Sequence, residues 1–313
     1  MCSQDVRKKV PLLRKIPGPK RIRRCIRYIR SLFLMKFHPI GYADVLFRQA
    51  FGYGINWKHP RDLNEWINYL AFKTDTTLWT ELSDKYKVRE YVAEKGLSNL
   101  LVPLLAIWKN PEEITFDKLP NSFAIKTNCS SGDTIIVNNK TEIDLATIKE
   151  RMRRALAERM SLFRKSAELH YLKIEPRILC EELIPSCFTT DYKIWCFHGE
   201  PFCILVCANR NIESRTVDLV AYDLKWNKHN EWLTDGYRNE VDIERPVHFN
   251  EMIEYAKVLS DGFPEVRVDF YDSPQRTWFG EMTFTSYQGR MPYYTPSFQK
   301  MMGDKVAEFA HSS

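Results

Sequence analysis

The sequence predicts an α+β fold with two or three subdomains. The chain of 313 residues is long enough to bury a sizeable core, and its apolar fraction of 44% is ordinary for a folded protein. Helical periodicity dominates residues 40–80, 83–96 and 141–170. Short strand-like runs dominate residues 176–233, and a hairpin pattern follows at 266–284. Together these segments predict helices and largely hairpin-connected sheets.

The first element, residues 1–40, is predicted to be a basic arm that continues into an amphipathic helix. Residues 1–36 carry twelve Lys and Arg against one acid, Asp5. Apolar side chains recur among the arginines at helical spacing, namely Ile22, Ile26, Ile29 and Phe33. This pattern is typical of helices that lie on an anionic membrane surface. A helix docked on the protein body, with its basic face in solvent, is the alternative.

Cysteine usage and hydropathy indicate the cellular setting. The eight cysteines form no CxxC pair, and several lie in apolar, strand-like runs. We therefore expect reduced thiols in a cytoplasmic protein, without a zinc site. No stretch approaches the roughly 20 apolar residues of a spanning helix, so any membrane association is expected to be peripheral, at the inner face. No nucleic-acid reader motif is present, so no nucleic-acid partner is expected.

The helical segments are predicted from their end signals. Asp62 or Asn64 is a candidate N-cap for the aromatic-rich helix that follows. In "SDKYKVREYVAEKG", Ser83 is a candidate N-cap and Gly96 a candidate stop signal.

The hairpin at 266–284 places acids inside strands that otherwise read as core. Side chains alternate between the two faces of a strand, so Arg267 and Asp269 share one face of the first strand. If Asp269 pairs with Glu281, then Arg267 pairs with Thr283. Two facing carboxylates repel, and Mg²⁺ would relieve the repulsion because it takes carboxylate oxygens together with substrate phosphates. The alternative is an exposed polar face on which Arg267 neutralises both acids.

Three further stretches carry polar groups within strands or at their ends. In "FAIKTNCSSGDTIIV", Lys126 ends an apolar strand, and a loop of small residues follows that could wrap phosphates; a plain hairpin turn is the alternative. In "ILCEELIPSC", Glu181 and Glu182 end an apolar strand and could accept hydrogen bonds from an adenine or ribose; a surface turn is the alternative. In "DYKIWCFHGEP", Asp191 and Lys193 share a strand face.

The order of these pieces over residues 45–300 resembles the ATP-grasp superfamily. Within this superfamily, the motifs are most similar to those of the TupA-like branch, which is associated with teichuronopeptide and other surface polysaccharide synthesis. The resemblance implies two α+β subdomains that grip ATP. It divides the chain into the basic arm, a helical pre-grasp region at 41–120, a small subdomain at 121–185 and a large subdomain at 186–313 that contains the metal-binding hairpin.

The resemblance also implies roles for individual residues. Lys85 and Lys126 would contact phosphates. A lid loop over the phosphates would run from Asn128 through Ser130 and Ser131 to Gly132. The adenine hinge would be formed by Glu181, Glu182, Leu183 and Ile184. Asp191, with Lys193 on the same face, would stand near the ribose. Asp269 and Glu281 would hold Mg²⁺, and Arg267 would steady the transferred phosphate. Many members carry Asn where this chain has Thr283, and Thr285 and Ser286 would face the acceptor.

The implied function is an ATP-dependent, amide-forming carboxylate–amine ligase. With ATP and Mg²⁺ as cofactors, it would join the carboxylate of a surface glycan or glycolipid to an amine or amino acid through an acylphosphate. Two other enzyme classes stay open, a sugar or head-group kinase at the same ATP site and a glycosyltransferase using Asp218 and Asp223. A non-catalytic binding module is the fourth alternative.

Overall fold

The computed structural model describes Ile29 and residues 33–158, 166–184, 190–211 and 216–308. Its α-helices, apart from a helical turn at 33–37, are α1 (Pro39–Phe51), α2 (Leu63–Lys73), α3 (Thr77–Leu82), α4 (Val88–Glu94), α5 (Leu145–Glu158), α6 (Phe249–Ser260) and α7 (Pro296–Ala307). Its strands are β1 (Leu104–Trp108), β2 (Phe123–Thr127), β3 (Ile135–Val137), β4 (Ile178–Glu181), β5 (Asp191–Phe197), β6 (Glu200–Asn211), β7 (Thr216–Tyr222), β8 (Val266–Asp272) and β9 (Thr277–Thr283). The predicted α+β class is confirmed.

The smaller sheet is antiparallel and has the strand order β1-β4-β2-β3. Along β2 the side chains of Phe123 and Ile125 point into a core that α5 covers with Ile148 and Met152. Lys126 therefore points to the other face of the sheet. The small subdomain was predicted to begin at residue 121. β1 precedes this residue in the chain but pairs with β4, so the predicted boundary separates β1 from the sheet to which it belongs.

The larger sheet is also antiparallel and has the order β7-β6-β5-β8-β9. One face packs on α6, and the fully buried Val266, Val268 and Phe270 of β8 belong to that core. The opposite face of β5, β8 and β9 carries the polar residues of the site. The two sheets have separate apolar cores, and this leaves the space between them to polar side chains.

The helix predicted at 83–96 is shorter than expected. Ser83 is not its N-cap but the residue that ends α3. Asp84 instead accepts hydrogen bonds from the backbone of Tyr86 at 2.8 Å and Lys87 at 3.4 Å, which forms a turn before α4 begins at Val88. Two other end signals are confirmed, because Asp62 caps α2 through the Glu65 amide and Gly96 follows α4 with φ +78°.

The prediction for residues 1–40 lies mostly outside the described residues. Of its apolar side chains, Ile29, Phe33 and Phe37 are 62%, 57% and 56% exposed. In the part of the chain that the structure describes, no helix combines the length and apolar character needed to cross a bilayer.

Candidate functional site

The polar face of the larger sheet is built from two rows of side chains. Asp269 pairs with Glu281 across β8 and β9, and with Lys193 across β8 and β5. One position along, Arg267 pairs with Thr283 on one side and with Trp195 on the other. Paired residues of antiparallel strands point to the same face. The structure thus shows the register that the sequence analysis considered as a condition, with Asp269 opposite Glu281 and Arg267 opposite Thr283, and the topology adds Lys193 to the acidic row.

Asp269 is the most tightly held group of the site. It is 2% exposed and accepts two hydrogen bonds from the Arg267 guanidinium, at 2.7 and 2.8 Å. The Lys193 ammonium forms a close ion pair with the same carboxylate. Arg267 is itself only 8% exposed, and its remaining Nη1 donates to Ser286 at 3.0 Å. The Arg267–Asp269 part of this face is thus buried. Arg267 contacts both acids, as the alternative reading of the hairpin supposed, but it does so away from the exposed surface.

Glu281 is more accessible than Asp269, with 32% of its side chain exposed. It accepts hydrogen bonds from Thr283 at 3.1 Å and from Arg267 at 3.3 Å, and the Lys85 ammonium lies at 3.6 Å. Burial alone would raise the pKa of Glu281, but the charges of Lys85, Lys193 and Arg267 outweigh burial and lower this pKa to about 2. Glu281 is therefore an ionised carboxylate that is partly accessible to solvent.

A bulge in β9 aims the two carboxylates. The pairing shifts between Asp269 and Phe270, where Gly280 is the extra residue of β9. A Cβ at Gly280 would come within 2.9 Å of the Asp269 carbonyl oxygen. Only glycine allows this approach, and a bulge of this kind re-aims the side chains next to it.

The predicted phosphate lysines lie at a pocket between the two sheets. Lys85 and Lys126 both line it, together with Glu181 and, from β9, Phe279 and Gly280. Glu181 is 6% exposed and is not a surface turn. It forms ion pairs with Lys126 at 2.5 Å and with Arg89 of α4 at 3.4 Å. Since Arg89 also donates to the Val102 carbonyl, α4 is tied to the edge of the small sheet at this pocket.

The loop after β2 is a hairpin turn with an organised interior. Asp133 accepts hydrogen bonds from the Thr127 amide at 2.9 Å and the Ser130 hydroxyl at 2.7 Å. The Ser130 carbonyl accepts from the Lys85 ammonium at 2.8 Å, which links the loop to the pocket. Ser131 and Gly132 are exposed at the tip, and Gly132 adopts φ +77°.

Asn128 lies behind this loop and is fully buried. Its amide nitrogen donates to Asp84 at 2.8 Å and to the Glu175 carbonyl at 2.9 Å, and its side-chain oxygen accepts from the Arg177 amide at 2.7 Å. All of these contacts are internal to the protein. The structure thus places the Asn128 side chain in the framework that holds the loop.

The other residues predicted to bind the nucleotide lie after the end of β4 and at the start of β5. Glu182 is exposed and its amide donates to the Pro103 carbonyl, and Leu183 and Ile184 are half-buried at the end of the β4 segment. Asp191 lies at the start of β5, 7% exposed, and accepts from Arg210 at 2.7 Å, with Lys193 at 3.9 Å.

The segment after β9, Thr285–Arg290, is held against α2. Asn68 donates to the Gly289 carbonyl at 3.1 Å, and Asn64 accepts from the Met291 amide at 2.8 Å. Thr285 and Ser286 are 1% exposed. Tyr287 and Gln288 adopt left-handed φ values of 48° and 61°. Such strain persists only where the surrounding structure fixes it, and here the two asparagines do so.

Sequence reasoning missed several residues of the site. Arg89 gave no signal beyond its place on a charged helix. Tyr171 lies near Glu281 and Arg267, and burial first, then Glu281 and Glu168, raise its pKa. Phe279 and Gly280 showed only the pattern of a strand, although Gly280 directly precedes Glu281, a candidate metal ligand. A charge-bearing strand flanked by glycine is the signal that could have pointed to the bulge.

The donor set fits Mg²⁺ bound together with a nucleotide. In the described ranges no group of three or more His, Cys, Asp or Glu is arranged to hold a metal ion. Mg²⁺ does not need such a cage, because it commonly takes one or two carboxylates and completes its coordination with substrate phosphates and water. Asp269 and Glu281 would supply the two carboxylates, and Lys85 and Lys126 would supply positive charge for the phosphates of a bound nucleotide.

Comparison with known proteins identifies the family. The family described as TupA-like ATPgrasp matches residues 65–307. No curated protein matches. Among solved structures, D-alanine–D-alanine ligase from Bacillus anthracis complexed with ATP is 13% identical, with a TM-score of 0.42, over 74% of this chain and 66% of its own.

Two further solved structures are similar at the same low level. L-amino acid ligase from Bacillus licheniformis is 13% identical, with a TM-score of 0.49, over 88% of this chain and 63% of its own. The ATP-grasp ligase PsnB, complexed with a precursor variant, Mg and ADP, is 12% identical, with a TM-score of 0.41, over 78% and 64%. This chain thus spans slightly less than two thirds of the length of each of these three ligases. The family match covers most of the sequence, and the chain belongs to the TupA-like ATP-grasp family.

Proposed function

We propose that the chain is an ATP-dependent carboxylate–amine ligase that forms an amide through an acylphosphate. The observation that carries the proposal is the pairing of Asp269 with Glu281 on a polar face where the cations Lys193 and Arg267 both contact Asp269. Lys85 and Lys126 extend this positive charge into the adjoining pocket. Such a site stabilises phosphate charge and offers two carboxylates to Mg²⁺.

The reaction would proceed in two transfers. A substrate carboxylate oxygen attacks the terminal phosphorus of ATP, the bond to ADP breaks, and an acylphosphate forms. An amine nitrogen then attacks the acyl carbon, phosphate leaves, and the nitrogen loses a proton to give the amide. Mg²⁺, held by Asp269 and Glu281, would neutralise phosphate charge. Arg267, fixed by Asp269 and Ser286, is positioned to hold the anionic group that is transferred.

The substrate would be a glycan or glycolipid carboxylate, joined to an amine or amino acid during surface polysaccharide synthesis. This part of the proposal rests on the resemblance to the TupA-like branch described above, which is associated with surface polysaccharide synthesis. Thr283, Thr285 and Ser286 lie directly after Glu281 and would border the acceptor.

Calorimetry of ATP binding tests the proposal first, with and without Mg²⁺, on the wild type and on Lys126→Ala and Glu281→Ala. We expect Mg²⁺-dependent binding that both substitutions weaken, and Lys300→Ala is the control because Lys300 pairs with Asp304 at an exposed position on α7. Absence of ATP binding by the folded wild type would overturn the proposal. An acceptor screen then separates reactions, because a ligase releases phosphate whereas a kinase leaves a stable phospho-product.

The basic arm would bring the enzyme to an anionic lipid surface at the inner face of the membrane. Ile29, Phe33 and Phe37 are spaced four residues apart and are all more than half exposed, within a segment where basic residues greatly outnumber acids. Cosedimentation with phosphatidylglycerol vesicles should fall on deletion of residues 1–36 and for Phe33→Ser with Phe37→Ser, whereas phosphatidylcholine vesicles should bind neither form. Unchanged binding after the deletion would refute this role.

A further inference from the structure

The Glu181 carboxylate lies between two cations at the pocket between the two sheets. Its Oε2 atom is 2.5 Å from the Lys126 ammonium, and its Oε1 atom is 3.4 Å from the Arg89 guanidinium. All three side chains line the pocket, and none of them is more than 19% exposed. We call these three residues the Glu181 cluster.

The Glu181 cluster joins the small sheet to a helix of the other core. Lys126 and Glu181 project from the neighbouring strands β2 and β4 to the face of the small sheet opposite its apolar core. Glu181 pairs with Ala124, two residues before Lys126, so the two charged side chains are diagonal neighbours. Arg89 belongs to α4, whose Val88 lies in the core of the larger sheet. The Lys126 ammonium is therefore held relative to both parts of the molecule, through Glu181 and Arg89.

The contacts of Glu181 are ionic and mutually supporting. Arg89 is itself fixed, because its Nη2 atom donates to the Val102 carbonyl at 2.8 Å. Glu181 is 6% exposed, and a carboxylate this buried is stable only where cations or other donors satisfy it. Hydrogen bonds with a charged partner are roughly twice as strong as those with a neutral one. An adenine amino group is neutral, so it would be a poor replacement for either cation at Glu181.

The contact with Glu181 still allows Lys126 to bind phosphate. An ammonium group carries several N–H donors, so Lys126 can donate to a phosphate while one N–H stays on Glu181. A lysine side chain has one of the largest rotamer entropies, and ordering it before the ligand arrives lowers the cost of binding. Glu181 can thereby raise the affinity for phosphate without a contact of its own.

We propose that Glu181 is a positioning residue for the nucleotide phosphates, which orients Lys126 towards them while Arg89 anchors the Glu181 carboxylate. The inference rests on the proposed function, since it takes ATP as the ligand of this pocket. It gives the Glu181 side chain a role that differs from the adenine contact implied by the resemblance. The side chain would act on the affinity for phosphate and leave the affinity for the base unchanged.

Different roles of Glu181 lead to different results for Glu181→Gln. If Glu181 positions Lys126, ATP binding should weaken roughly three- to tenfold, the value of one ordered long side chain, and adenosine binding should not change. If Glu181 contacts the base, ATP and adenosine binding should weaken by the same factor. If Glu181 contributes only its charge, ATP should bind more tightly, because an acid beside the phosphates has been removed.

Calorimetry of ATP with Mg²⁺ and saturation-transfer NMR of adenosine measure these affinities, and urea unfolding shows whether each variant is folded. Glu181→Asp is the second variant, in case Glu181→Gln does not fold. It keeps the charge but is one methylene shorter, so ATP binding should weaken as in Glu181→Gln, whereas a pure effect of charge would leave it unchanged. Glu112→Gln is the control, because it removes an acid from an exposed ion pair with Arg153 and should not change ATP binding.

A double-mutant cycle with Lys126→Met decides whether Glu181 acts through the lysine. In the Lys126→Met background, Glu181→Gln should weaken ATP binding no further. An equal loss with and without Lys126 would overturn the inference, as would an equal loss for ATP and adenosine. ATP binding that is unchanged or tighter in the Glu181 variants would also overturn it. If the wild type binds ATP, these results remove only this inference, whereas a folded wild type that binds no ATP loses the proposed function as well.

Discussion

Asp269 and Glu281 should respond very differently to the loss of their charge, although both are expected to hold the metal. In Asp269→Asn, Arg267 and Lys193 lose their shared counter-charge in a place where Asp269 is only 2% exposed. Removing one partner of a buried ion pair costs about 3–5 kcal/mol, and we expect a loss of stability in that range. Glu281 has 32% of its side chain exposed and its cations lie at 3.3 and 3.6 Å, so Glu281→Gln should cost about 1 kcal/mol or less.

Urea unfolding gives both free energies, and calorimetry of ATP with and without Mg²⁺ reports the nucleotide site. Asp269→Asn should lose stability and the Mg²⁺ dependence together, whereas Glu281→Gln should lose the Mg²⁺ dependence and remain stable. Asp304→Asn, in an exposed pair on α7, is the control and should change stability by less than about 0.5 kcal/mol. Equal destabilisation by the two site variants would refute this account of burial. Mg²⁺-dependent binding retained by Glu281→Gln would refute its role at the metal.

Three further predictions follow from single contacts. Because the pKa of Glu281 is lowered from 4.5 to about 2, its ionised form contributes stability above pH 4.5 that is lost as the pH falls towards 2, and solvent screening of this partly exposed carboxylate limits the contribution to the roughly 1 kcal/mol expected for Glu281→Gln. Urea unfolding between these values should therefore show a flatter pH dependence for Glu281→Gln than for the wild type, and a parallel pair of curves would contradict this; the exposed Glu90→Gln serves as control. Gly280→Ala should weaken ATP binding with Mg²⁺ by at least about tenfold, since its Cβ would meet the Asp269 carbonyl at 2.9 Å, whereas Gly236→Ala, with open space around it, should not; the same calorimetry decides. Burial raises the pKa of Cys196 to about 12 and of Cys207 to about 11, so these thiols should react with a disulfide reagent only after unfolding, and labelling followed by peptide mass spectrometry would show early reaction if this is wrong.

The hairpin could be predicted because its logic is local. Strand alternation assigns Arg267 and Asp269 to one face. The turn between β8 and β9 alone would place Gly280 opposite Asp269, and it is the bulge at Gly280 that brings Glu281 to this position. Two carboxylates in facing positions repel each other, so a counter-ion can be expected from the hairpin alone, without knowledge of the rest of the chain. The helix caps at Asp62 and Gly96 could be read for the same reason, since each depends on a few neighbouring residues.

The rest of the site depends on residues far apart in the sequence. The sequence around Asn128 does not indicate that its side chain will hydrogen-bond with Asp84 and the Arg177 amide. Asn128 was therefore predicted to belong to the phosphate loop, although its side chain is part of the buried framework. Lys193 was visible as a cation on a strand, but only the pairing of β5 with β8 sets it against Asp269. Tyr287 gave no signal, because its left-handed conformation is imposed by Asn64 and Asn68 on another element.

The separation of the two apolar cores has a consequence for motion. The contacts that join the small sheet to the rest of the molecule near the pocket include charged or polar groups, such as Arg89 with Glu181 and Lys85 with the Ser130 carbonyl. Opening the two halves along this seam would expose mainly these charged groups to water, together with the smaller apolar area of Leu101, Val102 and Phe279. Such a step would have a small heat-capacity change but a marked dependence on ionic strength, so that salt more than temperature would govern how readily the cleft opens.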